Sequence, residues 1–275
     1  MYKKIGLAIA FSPRIEALIA EAKRLVQIFD AELVLIHVGV KNPDLESKLE
    51  EIVTRQGLKQ IPTKLIWKTG KPVKILLQAC LEESVDLLIL GALKKEGLLT
   101  YYLGSVARKI IRKAPCSVLT LIKPKIEMSA FSRVVINGTQ LEVTPSVIAS
   151  GLNFCKIVEA EQVHILNEIK LYGLQMATAG EGSEEDVSNT RRKLIQDEIE
   201  YVQQILNTLD KGNLRINIKV TAGKWSIELA KYCEIIDADL LIMGDNKDYS
   251  FIDRIFPHEL ENILENLPTN FLYIK

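Results

Sequence analysis

The chain repeats one pattern of residues twice, and this repeat limits the folds open to it more than any other feature. VDLLILGALKK (85–95) matches ADLLIMGDNKD (238–248) at an offset of 153 residues. The same offset pairs Gly70-Lys71 with Gly223-Lys224, and the proline before SVLTLI with the proline before NFLYI. Three markers at one spacing mean that the later halves of the two repeats align without a gap.

The earlier halves of the repeats align at a smaller offset, so the second repeat carries an insertion. KKIGLAIAFS matches SRVVINGT at an offset of 127, and DAELVLIHV matches EAEQVHILN at 129. Within the insertion, the acidic, glycine- and serine-rich stretch 179–189 predicts an exposed loop, and an amphipathic helix follows it. The apolar face of that helix consists of Leu194, Ile195, Ile199, Val202, Ile205, Leu206 and Leu209. We therefore predict one domain at 1–125 and a second at 131–275, with the inserted loop and helix at about 170–212.

The apolar segments of the first repeat predict strands that alternate with helices. The expected strands are Ile5–Ala10, Leu33–Val38, Thr63–Lys68, Leu87–Leu90 and Ser117–Ile122. The expected helices are Arg14–Phe29, one within Asp44–Gln56, Pro72–Glu83 and Ser105–Lys113. Unbroken apolar strands such as LVLI and LLIL are typical of a parallel sheet with helices on both faces. The sequence thus predicts an α/β fold, which binds ligands beyond the carboxyl ends of its strands, near a switch in strand order.

Composition and charge describe a globular protein without a global attraction for polyanions. Hydrophobic residues make up 48% of the chain, and 35 Lys and Arg residues balance 35 Asp and Glu residues. No apolar run is long enough to cross a bilayer. We therefore expect a cytoplasmic protein whose partners include neither nucleic acid nor membrane. The four cysteines and three histidines show no metal-ligand spacing, so we expect packed, reduced thiols and no metal site.

Four segments together resemble a universal stress protein domain, namely KKIGLAIAFS, DAELVLIHV, TGKPVKILLQACLEESVDLLILGA and LGSVARKIIRKAPCSVLTL. The second repeat resembles another copy. The resemblance implies two tandem five-stranded parallel sheets with strand order 3-2-1-4-5, adenine-nucleotide-hydrolase-like or Rossmann-like. It also implies pairing through the last strands, which the two repeats would supply to each other as a pseudo-dimer. One branch of the family binds ATP, and the protein partners and any further homodimer stay open.

The nucleotide-binding branch carries G-x2-G-x9-G-[S/T] after the fourth strand, and the first repeat keeps most of this motif. Gly91 and Gly104-Ser105 are in register, while Lys94 replaces the middle glycine. Such a loop presents backbone amides and a hydroxyl at a helix N-terminus, where the helix dipole favours anions. By this resemblance, the residues expected to bind ATP with Mg²⁺ are Val38, Leu90, Gly91, Lys94, Gly104, Ser105, Val106 and Ala107. In that set, Val38 and Leu90 would line the adenine side by analogy with the family.

The two repeats depart from the motif in different places. The first reads Ala10-Phe11-Ser12 where the family has Asp-Gly-Ser, so the acid that would meet the adenosine is absent and a bulky ring lies beside it. The second keeps that shape in Asn137-Gly138-Thr139 but has Pro257-His258 in place of Gly-Ser, so we expect no ATP there. Simpler interpretations also stand: Gly91 as a tight turn and Ser105 as an ordinary helix cap.

The sequence contains no nucleophile elbow, P-loop or zinc-protease motif, so we expect a regulator and not an enzyme, with weak ATP hydrolysis left open. The first hypothesis is a stress-response protein that binds a nucleotide at the first repeat. The second is a scaffold or interaction module that has lost nucleotide binding. A third is a small non-nucleotide ligand in the second repeat, covered by the insertion helix.

Overall fold

The chain forms two compact units, which a computed structural model describes at residues 1–94, 101–127, 130–169, 184–244 and 259–275. The first unit contains Met1–Ala130 together with Leu264–Lys275, and the second contains Phe131–Ile263. Each repeat forms most of one unit. The domain boundaries drawn from the repeats, 1–125 and 131–275, stay a prediction.

The first unit alternates strands and helices in the order predicted from its apolar segments. Its strands are β1 (Lys4–Ile9), β2 (Glu32–Val38), β3 (Thr63–Lys68), β4 (Leu87–Gly91), the two-residue strands β5 (Leu93–Lys94) and β6 (Tyr101–Tyr102), and β7 (Ser117–Leu121). Its helices are α1 (Ile15–Phe29), α2 (Pro43–Arg55), a 3-10 turn (Leu58–Gln60), α3 (Pro72–Glu82) and α4 (Ser105–Lys113). The ends of the predicted segments differ from these by one residue or none. The short β5–β6 pair lies within the stretch that the sequence predicts as a loop.

The main sheet of the first unit is parallel in the order β3-β2-β1-β4-β7. Numbered by place in the repeat, these strands lie in the order 3-2-1-4-5. Ile5 of β1 lies opposite Leu33 of β2 and Leu87 of β4, and all three side chains are buried, as expected for a sheet covered on both faces. The order reverses between β1 and β4, which places the expected ligand crevice beyond the carboxyl ends of those two strands.

A strand from the far end of the sequence completes this sheet. β12 (Asn270–Ile274) pairs antiparallel with β7, with Leu272 opposite Leu119 and Tyr273 opposite Val118. The fifth strands of the two repeats therefore pair with each other, as the family resemblance implies.

The second unit has a parallel sheet of four strands. Its strands are β8 (Arg133–Asn137), β9 (Gln162–Ile169), β10 (Arg215–Ala222) and β11 (Leu240–Gly244), and they lie in the order β10-β9-β8-β11. Its helices are α5 (Thr144–Ile157), α6 (Glu184–Asn207), α7 (Trp225–Ile235) and most of α8 (Glu259–Glu265). Five strands were expected here. The count is four because β12, the fifth strand of this repeat, belongs to the sheet of the first unit.

The insertion forms a longer helix than predicted. α6 begins at Glu184, so residues 184–189 are helical and the prediction of a loop there is wrong. Acidic residues in the first turn of a helix interact favourably with its dipole, which accounts for the early start. The C-terminal half packs on β9 and β10, with Val202 and Leu206 buried. The predicted loop residues 179–183 lie outside the described residues.

All four cysteines are buried free thiols, as their apolar surroundings predict. Among the helices that the structure describes, none is both long and apolar enough to cross a membrane.

Candidate functional site

Two segments of the predicted nucleotide site meet at the carboxyl edge of the first sheet. β5 directly follows β4 and pairs with β6, so Lys94 lies opposite Tyr101. The side chain of Leu93 packs against Gly104, since a Cβ added to this glycine would lie 3.0 Å from Leu93 Cδ1. The strand end that carries Gly91 and Lys94 therefore lies beside the start of α4.

The adenine-side residues are less well placed. Leu90 is only 4% exposed and lies inside β4, which leaves little of its side chain for a ligand. Val38 ends β2 and is partly exposed, but β1 lies between β2 and β4. The structure thus brings together the phosphate-side residues and leaves Val38 and Leu90 on strands that are not neighbours.

The start of α4 is open toward solvent. Gly104 precedes the helix in an extended conformation, with φ −64° and ψ 165°, and no side chain of the described residues caps it. Arg108 N donates to Gly104 O at 3.1 Å, so the amides of Ser105, Val106 and Ala107 precede the first bond within the helix. Ser105 and Val106 are exposed. These amides can donate hydrogen bonds to an anion, which the helix dipole also attracts.

Three cationic residues lie near Tyr101, which precedes Gly104 by three residues. Arg14 Cζ and Lys123 Nζ are each 5.8 Å from the ring centroid of Tyr101, and Lys94 is the β-ladder neighbour of the same tyrosine. The Arg14 guanidinium also donates to the backbone carbonyls directly after β4 and β7, the latter at 3.0 Å. This holds its charge at the carboxyl edge of the sheet.

Sequence reasoning missed Arg14 and Lys123. The signal was available, because Arg14 closely follows β1 and Lys123 closely follows β7, and parallel strands end at the same edge. A cation near the end of a strand next to the predicted crevice could have been added to the candidate list on that ground.

An aromatic cluster occupies the other side of the crevice, where β1, β2 and β3 end. We call Phe11, His37 and Trp67 the ring cluster. The His37 centroid lies 4.8 Å from that of Phe11 and 4.6 Å from that of Trp67, and the Phe11 and Trp67 centroids are 5.7 Å apart. Rings in mutual contact leave no room between them for a further ring.

Hydrogen bonds fix two members of the ring cluster. His37 Nδ1 lies 3.0 Å from the carbonyl oxygen of Ile9, so this nitrogen carries the proton and donates it. Trp67 Nε1 donates to the carbonyl of Gly39 at 3.1 Å. The ring cluster was not recognised from the sequence, although each ring lies within two residues of the end of one of the first three strands.

The segment that includes the end of α8 supports the candidate site from within the same unit. The amide of Leu103 donates to the carbonyl of Leu264 at 2.9 Å. The amide of Leu267 donates to the carbonyl of Tyr101 at 3.0 Å. These bonds hold β6 and the residue just before Gly104, and so help to set the position of the α4 start.

The glycine at the end of the fourth strand is explained by packing in both repeats. A Cβ at Gly91 would lie 2.9 Å from Leu18 Cδ1 in α1. A Cβ at Gly244 would overlap Cγ2 of Val147 in α5. Close approach of helix to strand therefore requires this glycine, whether or not a ligand binds. Gly91 alone is weak support for a nucleotide site.

In the second repeat, two polar side chains near the strand ends form hydrogen bonds with other residues of the same repeat. Asn137 Oδ1 accepts hydrogen bonds from Thr139 N at 3.1 Å and from Thr139 Oγ1 at 2.8 Å. Asn167 Nδ2 donates to Glu198 Oε2 of α6 at 2.8 Å. The insertion helix is thus anchored near the carboxyl end of β9. The predicted counterpart of the phosphate loop, with Lys247 and Pro257-His258, lies outside the described residues.

Comparison with known proteins relates part of this chain to a known family. Residues 40–121 match the model of the universal stress protein family. The stretch 40–121 of this chain is therefore a universal stress protein domain. The chain is 29% identical over 134 residues to the universal stress protein in QAH/OAS sulfhydrylase 3'region of Thermus aquaticus, a match that covers 43% of this chain and 98% of the relative. It is 28% identical over 151 residues to the universal stress protein MJ0531 of Methanocaldococcus jannaschii, over 46% of this chain and 86% of the relative.

Solved structures of universal stress proteins share the fold along nearly the whole chain. A universal stress protein from Archaeoglobus fulgidus aligns with a TM-score of 0.69 at 15% identity, over 99% of this chain and 98% of the other. A putative universal stress protein from Pseudomonas aeruginosa aligns with a TM-score of 0.68 at 14% identity, over 100% and 93%. Both repeats of this chain thus share the fold of those structures.

The chemistry available at the candidate site is that of an anion receptor. It offers backbone amides, one hydroxyl and three cations. Across the described ranges, no group of three or more His, Cys, Asp or Glu side chains could hold a metal ion.

Proposed function

We propose that this chain is a regulatory protein of the universal stress type, not an enzyme, whose first unit binds ATP or a related nucleotide through its phosphates. The observation that carries the proposal is the uncapped start of α4, with Ser105 exposed and three cationic residues near Tyr101 in the segment just before it. The phosphate-side residues are Gly91, Lys94, Gly104-Ser105, Val106 and Ala107.

Electrostatics support phosphate binding at this position. The chain has no net charge at pH 7, so the positive potential at the α4 start is local. A helix N-terminus contributes about 0.3–1 kcal/mol to the binding of a negative charge, and each hydrogen bond to a charged group about 1.5–3 kcal/mol. A few such contacts correspond to a dissociation constant on the order of 10–1000 µM. Any Mg²⁺ would arrive on the phosphate oxygens of the ligand.

The nucleoside end would be held less tightly than the phosphates. Ala10 supplies no carboxylate for the ribose, and the ring cluster closes the space beside it. Val38 and Leu90 are assigned to the adenine side by analogy with the family, and the burial of Leu90 makes its contribution small. The phosphates therefore supply most of the proposed affinity.

Calorimetry with a matched pair of variants tests the proposal. Gly104→Asp places a carboxylate at the helix start, where aspartate is also a good cap, so the fold should be kept while phosphate is repelled. Gly104→Asn has the same size without the charge. We expect ATP, with and without Mg²⁺, to bind the wild type and Gly104→Asn, and Gly104→Asp to bind at least tenfold more weakly. No heat from the wild type at high micromolar ATP, or equal binding by both variants, would show that this site is wrong.

The ring cluster favours a second candidate function, an interaction module without a nucleotide. Three rings in contact fill the place where the nucleotide-binding branch has a small Asp-Gly pair. Mass spectrometry of the purified protein under native conditions distinguishes the two functions. A co-purified ATP or AMP supports the nucleotide protein, and a bare chain that also gives no heat with ATP supports the interaction module.

A further inference from the structure

The first unit buries two cysteines in contact with each other, at the edge of the sheet opposite the candidate nucleotide site. Cys80 lies near the end of α3 and is 1% exposed. Cys116 directly precedes β7 and is 5% exposed. The two thiols form a hydrogen bond with each other. No step of the proposed nucleotide binding uses either thiol.

The backbone around the two thiols holds them in register. The amide of Val85 donates to the carbonyl of Cys80 at 2.9 Å. The amide of Ser117 donates to the carbonyl of Asp86 at 3.2 Å. Val85 is therefore hydrogen-bonded to Cys80. The next residue, Asp86, is hydrogen-bonded to Ser117, which directly follows Cys116. The contact between the thiols is thus set by the fold, not by two free side chains that happen to meet.

The environment makes the two thiols chemically unequal. Their mutual hydrogen bond lowers the pKa of Cys80 and raises the pKa of Cys116. Burial raises the pKa of Cys116 further, as does the nearby carboxylate of Asp86. These directions favour Cys80 as the nucleophile of the pair and Cys116 as the thiol that attacks second.

The second repeat offers a natural comparison. The offset of 153 residues places Cys233 opposite Cys80 and Thr269 opposite Cys116. Cys233 is buried, and burial raises its pKa to about 12. The same helical position thus carries a cysteine in both repeats, but only the first repeat has a second cysteine at the position before its last strand.

We propose that Cys80 and Cys116 form an oxidative modification site, which a hydroperoxide converts into an intramolecular disulfide. The Cys80 thiolate attacks the terminal peroxide oxygen; the S–O bond forms, the O–O bond breaks, and the other oxygen takes up a proton and leaves as water from hydrogen peroxide, or as the alcohol from an organic hydroperoxide. The Cys116 sulfur then attacks the Cys80 sulfenic acid; the S–S bond forms, the S–O bond breaks, and the proton of Cys116 leaves with the hydroxide as water. Two thiols are oxidised and one hydroperoxide is reduced.

The disulfide would connect two elements that pack against the candidate site's helix. α3 packs on α4, and Cys116 lies three residues after the end of α4. The disulfide would therefore link α3 covalently to the residue that directly precedes β7. Because both thiols are buried, the peroxide reaches them only when this edge of the unit opens, and the reaction is slower than that of an exposed thiol.

Peroxide treatment of the whole folded protein tests the proposal. We expect the intact mass to fall by two hydrogens, a single Cys80–Cys116 cross-link in the peptide map without reductant, and the original mass after dithiothreitol. Cys80→Ser and Cys116→Ser should form no disulfide. Cys233→Ser, the matched control, should be oxidised at the wild-type rate.

Two results would overturn the proposal. One is a wild type that is treated with peroxide while folded, at concentrations that oxidise free cysteine, and whose Cys80 and Cys116 are still alkylated once the protein is denatured. The other is a peptide map in which Cys155 or Cys233 takes part in disulfides as often as the pair. If a serine variant fails to fold by circular dichroism, the wild-type peptide map decides alone.

Discussion

Two asparagines in the second unit use opposite ends of the side-chain amide for their hydrogen bonds. Asn167 is fully buried and donates through Nδ2 to the carboxylate of Glu198, while its Oδ1 accepts no hydrogen bond from any described residue. Asn137 does the reverse and accepts from the amide and hydroxyl of Thr139 through Oδ1. One site therefore needs a donor and the other an acceptor.

Replacing each asparagine by aspartate should destabilise the protein at the site that needs a donor and not at the site that needs an acceptor. Asn167→Asp places a carboxylate against Glu198 and removes a donor, so we expect a loss of about 2–4 kcal/mol in the free energy of unfolding at pH 8. The loss should shrink as the pH falls toward 5, because the two carboxylates can then share a proton. Asn137→Asp keeps its acceptor and should stay within about 1 kcal/mol of the wild type. Urea unfolding measures both, and equal losses would contradict the assigned hydrogen bonds.

Buried thiols make the stability of the second unit depend on pH above neutrality. Burial raises the pKa of Cys155 and of Cys233 to about 12. The folded chain therefore keeps protons that the unfolded chain loses, so stability is full below about pH 9 and falls as the pH rises toward 12. Between pH 8 and 10, each such thiol should lower the free energy of unfolding by about 1–2 kcal/mol.

The variant Cys233→Ser tests this dependence, because serine does not ionise in that range. It should be less stable than the wild type at pH 8, since a buried sulfur is lost. Its stability should nevertheless fall less between pH 8 and 10. Urea unfolding at both pH values gives the difference, and an identical fall in both proteins would exclude Cys233 as a source.

At the scale of elements, the sequence predicts the long strands and helices of the first repeat to within one residue, because each has a long apolar run or helical period. The pair β5–β6 was missed because two-residue strands carry no period. The start of α6 was missed because its acidic first turn has the composition of a loop. The ring cluster joins residues 11, 37 and 67, so only the parallel order of β1, β2 and β3 brings it together.

The end of β1 offers a test of the nucleoside binding proposed for this crevice. Ala10 is exposed there, and Phe11 leads into the ring cluster. The double substitution Ala10→Asp/Phe11→Gly recreates Asp-Gly before Ser12. The carboxylate can accept hydrogen bonds from ribose hydroxyls, and loss of the ring opens space, so ATP should bind about tenfold more tightly, equivalent to about 1.4 kcal/mol.

Calorimetry with ATP measures this gain, and Phe11→Gly alone separates the removal of bulk from the added acid. We expect the single variant to gain less than the double variant. Unchanged affinity in the double variant would show that the ring cluster does not limit nucleotide binding.

At the scale of the molecule, the first unit depends on a strand far away in the sequence. β12 covers the outer edge of β7, and Leu272 opposite Leu119 is fully buried. Asn270 Oδ1 also accepts from the amide of Ile122 at 2.9 Å. Without β12, β7 would be an exposed apolar edge strand, which is prone to pair with another chain.

Leu272→Pro should break this pairing, because proline lacks the backbone donor and the substitution also removes buried volume. We expect a loss of about 3–5 kcal/mol in stability and association that increases with protein concentration in sedimentation experiments. Leu272→Val keeps the backbone donor and should cost only about 1 kcal/mol without association. A monodisperse proline variant of wild-type stability would show that β12 does not protect the β7 edge.

The position of β12 also has a consequence for synthesis. Ile122 and Asn270 are 148 residues apart, so β7 leaves the ribosome well before its partner. At about 5–20 residues per second, the interval is roughly 7–30 seconds. The segment that bonds to Tyr101 and Leu103 arrives equally late, and with it the support for the start of α4. A nascent first repeat would therefore stay without a complete anion receptor until nearly all of the second repeat has been translated.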